Sequence, residues 1–283
     1  MLWRTGRFTH DLTRRALVMG ILNVTPDSFS DGGSFLDVPR AVGHALALLA
    51  EGAAIIDVGG ESTRPGAPGV SAEEEIRRVL PVIRALREAA PDCVVSIDTS
   101  KAPVARAAIE AGAAIINDVT ALRGDPAMAE LAAGSRVGVV LMHMQGDPRT
   151  MQRAPHYEDV GREVAAFFEE RRRHALAAGI DASCLAFDPG IGFGKTVDHN
   201  LTLLRELATL VPPCSPLLLG VSRKSFLGRM AGTEEMSERL WPTLALTALL
   251  RREGARVFRV HDVRANLAAL RVAEALLDPP PVC

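Results

Sequence analysis

The sequence predicts an α/β protein folded as one (β/α)8, or TIM, barrel over residues 1–283, and three observations predict it. Apolar, often β-branched runs bounded by Gly, Asp or Asn alternate with amphipathic stretches at helical spacing. The runs are apolar almost throughout, the pattern of strands buried on both faces. Eight strand-then-helix units fit in 283 residues, the count and size of such a barrel. A doubly wound open sheet is the competing arrangement, but it would carry a Gly-rich nucleotide turn after its first strand and has no place for eight evenly spaced units.

The units follow in order. "ALVMGILNV" reads as the first strand; its loop "TPDSFSDGG" leads to the helix "RAVGHALALLAEG". "AIIDVGG" is paired with "AEEEIRRVLPVIRALREAA", "VVSIDT" with "KAPVARAAIEAG", and "AIINDV" with "PAMAELAAG". "GVVLMHM" precedes "YEDVGREVAAFFEERRRHALAAG", and "LAFDPG" precedes "HNLTLLRELATL". "LLLGVSR" with "MSERLWPTLALTALLRREG" and "RVFRVHDV" with "VRANLAALRVAEALLD" close the series.

A net charge of −2 argues against a nucleic-acid or anionic-membrane surface and points to small-molecule partners. No apolar run is long enough to span a membrane and "MLWRTGRFTHDLTRR" lacks a signal-peptide core, so a cytoplasmic protein is expected. Cys93, Cys184, Cys214 and Cys283 form no C-x-x-C pair and read as small buried residues in a reducing compartment. Lys101, Lys195 and Lys224 are the only lysines among 32 Lys plus Arg. All three directly follow a strand, and a position that keeps Lys in so Arg-rich a chain can be one that needs a compact ammonium.

In a (β/α)8 barrel the chemistry lies at the carboxyl ends of the strands. Those ends carry Asn23, Asp57, Asp98, Asn117 with Asp118, His143, Asp188, Arg223 with Lys224, and Arg259 with His261. One or two such residues would be helix caps; eight polar strand ends converging on one rim make a ligand pocket. Asp98, Asn117 and Asp188 offer acceptors and one amide to a planar heterocycle that bears N–H donors. Arg259, His261, Arg64 and the amides around Gly59 and Gly60 supply cationic and N–H donors suited to phosphate. Two motifs are set aside. "GIGFGKT" lacks the P-loop spacing, because Pro189 stands where its first Gly is required, and His143 beside two methionines reads equally well as a core residue satisfied by backbone.

"MGILNVTPDSFSDGG", "DVGGESTRPGA", "SIDTSK", "IINDV", "LMHMQGDPRTMQ", "DPGIGFGK", "SRKSF" and "RVHDV" resemble the signature segments of the dihydropteroate synthase family of folate biosynthesis. They occur in order over residues 19–263, with Ile191 departing from a frequent Phe. The resemblance implies condensation of 6-hydroxymethyl-7,8-dihydropterin pyrophosphate with p-aminobenzoate. It assigns Asp98, Asn117, Asp188 and Lys224 to the pterin ring, with Met142 against its face. Asn23 would coordinate Mg2+ on the pyrophosphate, which Arg259 and His261 would hold. Thr63, Arg64, Phe193 and Ser225 would shape the p-aminobenzoate site. In the loop "TPDSFSDGG", Phe29 would cover the reacting carbon and Asp31 would pair with Arg64, the loop closing once ligand is bound. A homodimer joined through the late helices is implied, to which the apolar "LWPTLALTALL" is suited, although burial on its own barrel predicts the same pattern. A folate-binding corrinoid methyltransferase and a non-catalytic pterin-binding paralogue are the alternatives.

Overall fold

The structure, a computed structural model, describes residues 1–25, 37–62, 66–147 and 150–277. The chain starts with an antiparallel hairpin, β1 (Leu2–Thr5) and β2 (Phe8–Asp11). Eight parallel strands follow: β3 (Leu17–Asn23), β4 (Ile55–Gly59), β5 (Val94–Asp98), β6 (Ile115–Asp118), β7 (Gly138–Met142), β8 (Leu185–Asp188), β9 (Leu218–Leu219) and β10 (Val257–Val260). They pair in chain order from β3 to β8, and β10 lies between β3 and β9. Phe187 of β8 bridges Leu217, next to β9, and donates its amide to Pro216 O at 2.9 Å, so the sheet closes on itself. The (β/α)8 barrel is therefore present.

Outside the ring lie α1 (Val38–Ala50), α2 (Ala72–Ala89), α3 (Ala102–Glu110), α4 (Met128–Ser135), α5 (Val160–Ala177), α6 (Val197–Arg205), α7 (Leu207–Leu210), α8 (Ser225–Ala231), α9 (Leu240–Arg252) and α10 (Val263–Leu277). Side-chain caps set several starts: Asp37 accepts from Arg40 N, Ser71 from Glu74 N and Asp159 from Arg162 N. Each satisfies an amide that the first helical turn leaves without a partner.

Side chains alternate across a strand, so every second residue of each strand faces the ring's interior. Met19, Ile55, Val94, Ile115, Val140, Ala186, Leu218 and Val257 supply one apolar side chain per strand to a single buried layer. Trp3 and Leu12, both fully buried, join that layer from the hairpin end. Trp3 donates its indole N–H to Cys184 O at 3.0 Å. Thr5 lies so close to Gly138 that a Cβ there would meet Thr5 Cγ2 at 2.6 Å. The hairpin thus closes the amino end of the barrel, leaving the carboxyl end for chemistry.

Several sequence expectations are corrected. The hairpin and α8 were not anticipated. The expected helix over 199–210 is two, parted at Glu206, whose carboxylate lies against Gly161 of α5. The strand expected over "LLLGVSR" is only Leu218–Leu219. Cys214 is exposed rather than buried, while Cys93 and Cys184 are buried. Lys195 and Lys224 lie well beyond their strands, Lys195 at the close of the β8 loop ahead of α6 and Lys224 at the N-cap of α8. Cys283 lies outside the described residues.

Candidate active site

Two residues beyond the apolar layer most inward positions turn polar: Asp57, Ser96, Asn117, Asp188 and Arg259, with Ile21, Met142 and Gly220 completing the ring. Arg259 Nε donates to Asp57 Oδ2 at 2.6 Å and its Nη2 to Asp98 Oδ2 at 2.7 Å. Asn117 Nδ2 donates to the same Asp57 oxygen at 3.1 Å. Asp57 Oδ1, Asp98 Oδ1 and Ser96 Oγ are buried and have no partner among the described residues. Buried polar atoms are seldom left so, and three at one barrel mouth mark a place that a ligand completes.

The charges here are tuned by burial. Loss of water raises the Asp98 carboxyl above the ordinary carboxylate range; Arg259 opposes the shift, while Asp57, Glu75 and Asp118 add to it. Asp188 is raised by burial too, against the pull of Lys224 and of the Gly190 amide that donates to its Oδ1 at 2.7 Å. Burial alone would lower Arg259, but Asp57 and Asp98 hold it firmly protonated. Lys224 is lowered to about 8, chiefly by burial, with Asp188 opposing and Arg259 reinforcing.

Around this floor stand the other predicted residues. Lys224 Nζ donates to Ile191 O and lies 4.6 Å from the centre of the Phe193 ring. Met142 is buried against Met144, Val119 and Met151, and Phe193 packs on that cluster. Asn23 Oδ1 and Asp98 Oδ2 border the space over Gly59, 3.8 and 3.6 Å from where a Cβ on that glycine would stand. His261 Nδ1 lies 3.0 Å from Ser222 Oγ, which accepts the His261 backbone N–H at 3.2 Å. These two contacts tie the imidazole and the backbone of His261 to one serine hydroxyl and so orient the ring. Ser225 is exposed at the first turn of α8. The structure thus gathers Asp98, Asn117, Asp188, Lys224, Arg259, Met142 and Phe193, with Asn23 beside Asp98 and His261 on Ser222. Phe29, Asp31, Thr63 and Arg64 lie outside the described residues.

A model of the pterin binding enzyme family matches residues 19–261. A dihydropteroate synthase of Escherichia coli (strain K12) is 49% identical over 92% of this chain and 92% of its own. The chain belongs to the dihydropteroate synthase family. The Xanthomonas albilineans family member solved with 4-aminobenzoic acid superposes with a TM-score of 0.91 at 47% identity, covering 99% of this chain and all of that one. The same organism's family member in complex with 7,8-dihydropteroate has a TM-score of 0.88 at 43% identity, with 99% and 100% covered.

Sequence reasoning placed Asp57 at a strand end but gave it no role, and it passed over Ser96. Both sit inside apolar runs, "IIDV" and "VVSI", where a lone buried polar residue was the available signal. It also left His143 undecided; the ring is buried, and its Nδ1 lies 2.9 Å from Lys195 Nζ.

Proposed function

We propose that this chain is a transferase that condenses 6-hydroxymethyl-7,8-dihydropterin pyrophosphate with p-aminobenzoate to give 7,8-dihydropteroate and pyrophosphate. The observation that carries the proposal is the pair of unpartnered buried acceptors, Asp57 Oδ1 and Asp98 Oδ1, beside Asn117 and Asp188 in a chain of this family. A dihydropterin presents an amino group and ring N–H donors on one edge, the complement of that set. Each buried acceptor left unmet costs about 1–3 kcal/mol, which such a ligand recovers. Relatives solved with 4-aminobenzoic acid and with 7,8-dihydropteroate hold the second substrate and the product of this reaction.

In this reading Asp98, Asn117, Asp188 and Lys224 take the pterin ring, with Met142 against its face. Phe193 and Ser225 border the p-aminobenzoate. Arg259 is already bound by two carboxylates, so it acts on the pyrophosphate through its field, with the His261 imidazole, oriented by Ser222, at the rim. Phe29, Asp31, Thr63 and Arg64 keep the roles that the family resemblance implies. The aniline nitrogen lone pair attacks the methylene carbon, the carbon–oxygen bond breaks with its electrons leaving on pyrophosphate, and the nitrogen sheds a proton to solvent. An arylamine is neutral and nucleophilic at pH 7, so the protein's work is positioning and leaving-group stabilisation.

Asn23 Oδ1 has no partner among the described residues, and no cluster of three acidic, His or Cys side chains there could hold a metal alone. That fits an ion shared with substrate: Mg2+ keeps waters and takes phosphate oxygens beside one or two protein ligands. When bound, it offsets charge on the pyrophosphate. We further propose a homodimer through α9 and α10, which pack on each other and expose Trp241, Leu249, Val272 and Leu276. The buried free thiols of Cys93 and Cys184 are consistent with the cytoplasm.

The test is to mix purified protein with the dihydropterin pyrophosphate, p-aminobenzoate and Mg2+ and follow both products. Equimolar dihydropteroate and pyrophosphate are expected; absence of pyrophosphate release on adding p-aminobenzoate overturns the proposal. Sedimentation at twice the chain mass is expected for the dimer, and a monomer at micromolar concentration removes it.

A further inference from the structure

Three lysines survive in a chain with 32 Lys plus Arg. Lys224 belongs to the proposed site, and Lys101 is tied to Glu61 and Glu75 at 2.7 and 2.5 Å. Lys195 is in neither place. It is almost fully buried, and its Nζ is ringed by polar atoms: it donates to Phe193 O at 2.9 Å, Gly190 O at 3.1 Å and His143 O at 3.3 Å, and lies 2.9 Å from His143 Nδ1. Two of these come from the segment after β7 and two from the loop after β8, so a single amine joins neighbouring loops.

The β8 loop it holds, "GIGFG" over 190–194, reads in sequence as a flexible stretch, with glycines at 190, 192 and 194. In the structure all five of its carbonyls accept from side chains. Gly190 O and Phe193 O take Lys195, Ile191 O takes Lys224, Gly192 O takes Gln152 Nε2 at 2.6 Å, and Gly194 O takes the Tyr157 hydroxyl at 2.8 Å. The glycines serve close approach: a Cβ on Gly190 would stand 1.9 Å from His143 O, and one on Gly194 2.4 Å from Gln145 O. Between its ends the loop carries the Phe193 ring and the Ile191 carbonyl on which Lys224 rests.

We propose that Lys195 is a positioning residue, a buried latch that joins the segment after β7 to the loop after β8 and thereby fixes Phe193 and Lys224 for the second substrate. It touches neither substrate itself. A Lys rather than an Arg is needed because three carbonyls and an imidazole nitrogen crowd one nitrogen in a space where even a methyl group on the adjoining glycines is excluded, which a planar five-donor fork cannot match. The proposal rests on the reading of Phe193 and Lys224 given above.

Its test compares Lys195→Met, Lys195→Arg and the milder Tyr157→Phe, which removes one hydroxyl hydrogen bond from the same loop. KM for p-aminobenzoate and kcat are measured at saturating dihydropterin pyrophosphate, with amide hydrogen exchange of residues 190–195 in the ligand-free proteins. Tyr157→Phe is expected to raise this KM roughly threefold and Lys195→Met at least tenfold, because the first removes one hydrogen bond and the second several. In all three variants kcat should move less than KM, loop exchange should quicken ahead of the rest of the barrel, and Lys195→Arg should fail to restore KM. A variant that merely contains less folded protein would lower kcat and leave KM as in the parent; that result, or slow exchange of the loop in Tyr157→Phe and Lys195→Met alike, overturns the latch. Faster loop exchange with KM unchanged overturns its link to substrate. If the parent itself forms no dihydropteroate, it is the proposed reaction that fails, and loop exchange still decides whether Lys195 holds the loop.

Discussion

Asp98 spends one oxygen on Arg259 and leaves the other without a partner among the described residues, so it both binds the guanidinium and lacks a donor. Asp98→Asn keeps the shape but turns part of that acceptor into an amide donor, while Asp57 still holds Arg259. Pterin affinity should fall about ten- to a hundredfold with the fold intact, the loss of one charge-assisted bond, and titration calorimetry with a pterin reads it directly. Unchanged affinity would remove Asp98 from the ligand's edge. Lys224 sits where Gly192 comes within 3.2 Å of its side chain, measured to a Cβ placed on that glycine. Lys224→Arg, though charge is kept, should therefore weaken pterin binding by about tenfold or more, because the wider guanidinium cannot take the same place; parental affinity would show the lysine to be replaceable. Lys101→Met has a different target, since it strands the fully buried Glu75. Breaking one side of a buried pair costs about 3–5 kcal/mol, so the urea midpoint should drop sharply. Asp98, Asn117 and Asp188 were legible in the sequence because a polar residue ending an apolar run is conspicuous. The contact of Lys195 with His143 was not, because it joins two irregular segments that share no period with each other.

Among the elements, the hairpin is the one that the sequence concealed. Its two strands are four residues each, and Trp3 and Thr5 are the only buried residues in them. So short a run carries too few alternations to separate a strand from a loop, and its meaning comes from the barrel beneath it. The long parallel strands were legible for the opposite reason, being apolar on both faces. β9 was overestimated because the run "PLLLGVSR" is cut to two paired residues between Pro216 and Gly220. Trp3→Ala should cost about 3–5 kcal/mol through the cavity it opens in the barrel floor. Pterin affinity, measured on the folded protein, should stay within about twofold, since the site lies at the other end of the strands. A stability loss under 1 kcal/mol would mean that the floor refills without the indole.

Over the whole molecule, buried amines make stability depend on pH in an uncommon sense. Burial brings Lys195 down to about 7, Asp188 opposing and Lys224 assisting, against about 10.5 in the unfolded chain. From pH 8 to 9 the unfolded chain holds a proton there that the folded protein lacks, so stability rises with pH. The slope is at most about 1.4 kcal/mol per pH unit from Lys195, with a smaller share from the partly solvated Lys224. Cys93, raised to about 11 by burial, opposes only once the unfolded thiol ionises near 9. Denaturant midpoints should climb between pH 8 and 9 in the parent and flatten in Lys195→Met; a parent midpoint that falls across this window contradicts the assignment. The plugged floor has a further consequence, for the order of assembly. Trp3 leaves the ribosome well ahead of its indole partner Cys184, which follows 181 residues later, and Leu218 and Val257 of the same layer come later still. The stopper must therefore wait, unsealed, until nearly all staves have been synthesised, and so long a separation in sequence makes closure a late and slow event. Because the only other tryptophan, Trp241, is solvent-exposed, the emission of Trp3 is a built-in clock for the moment when the ring shuts.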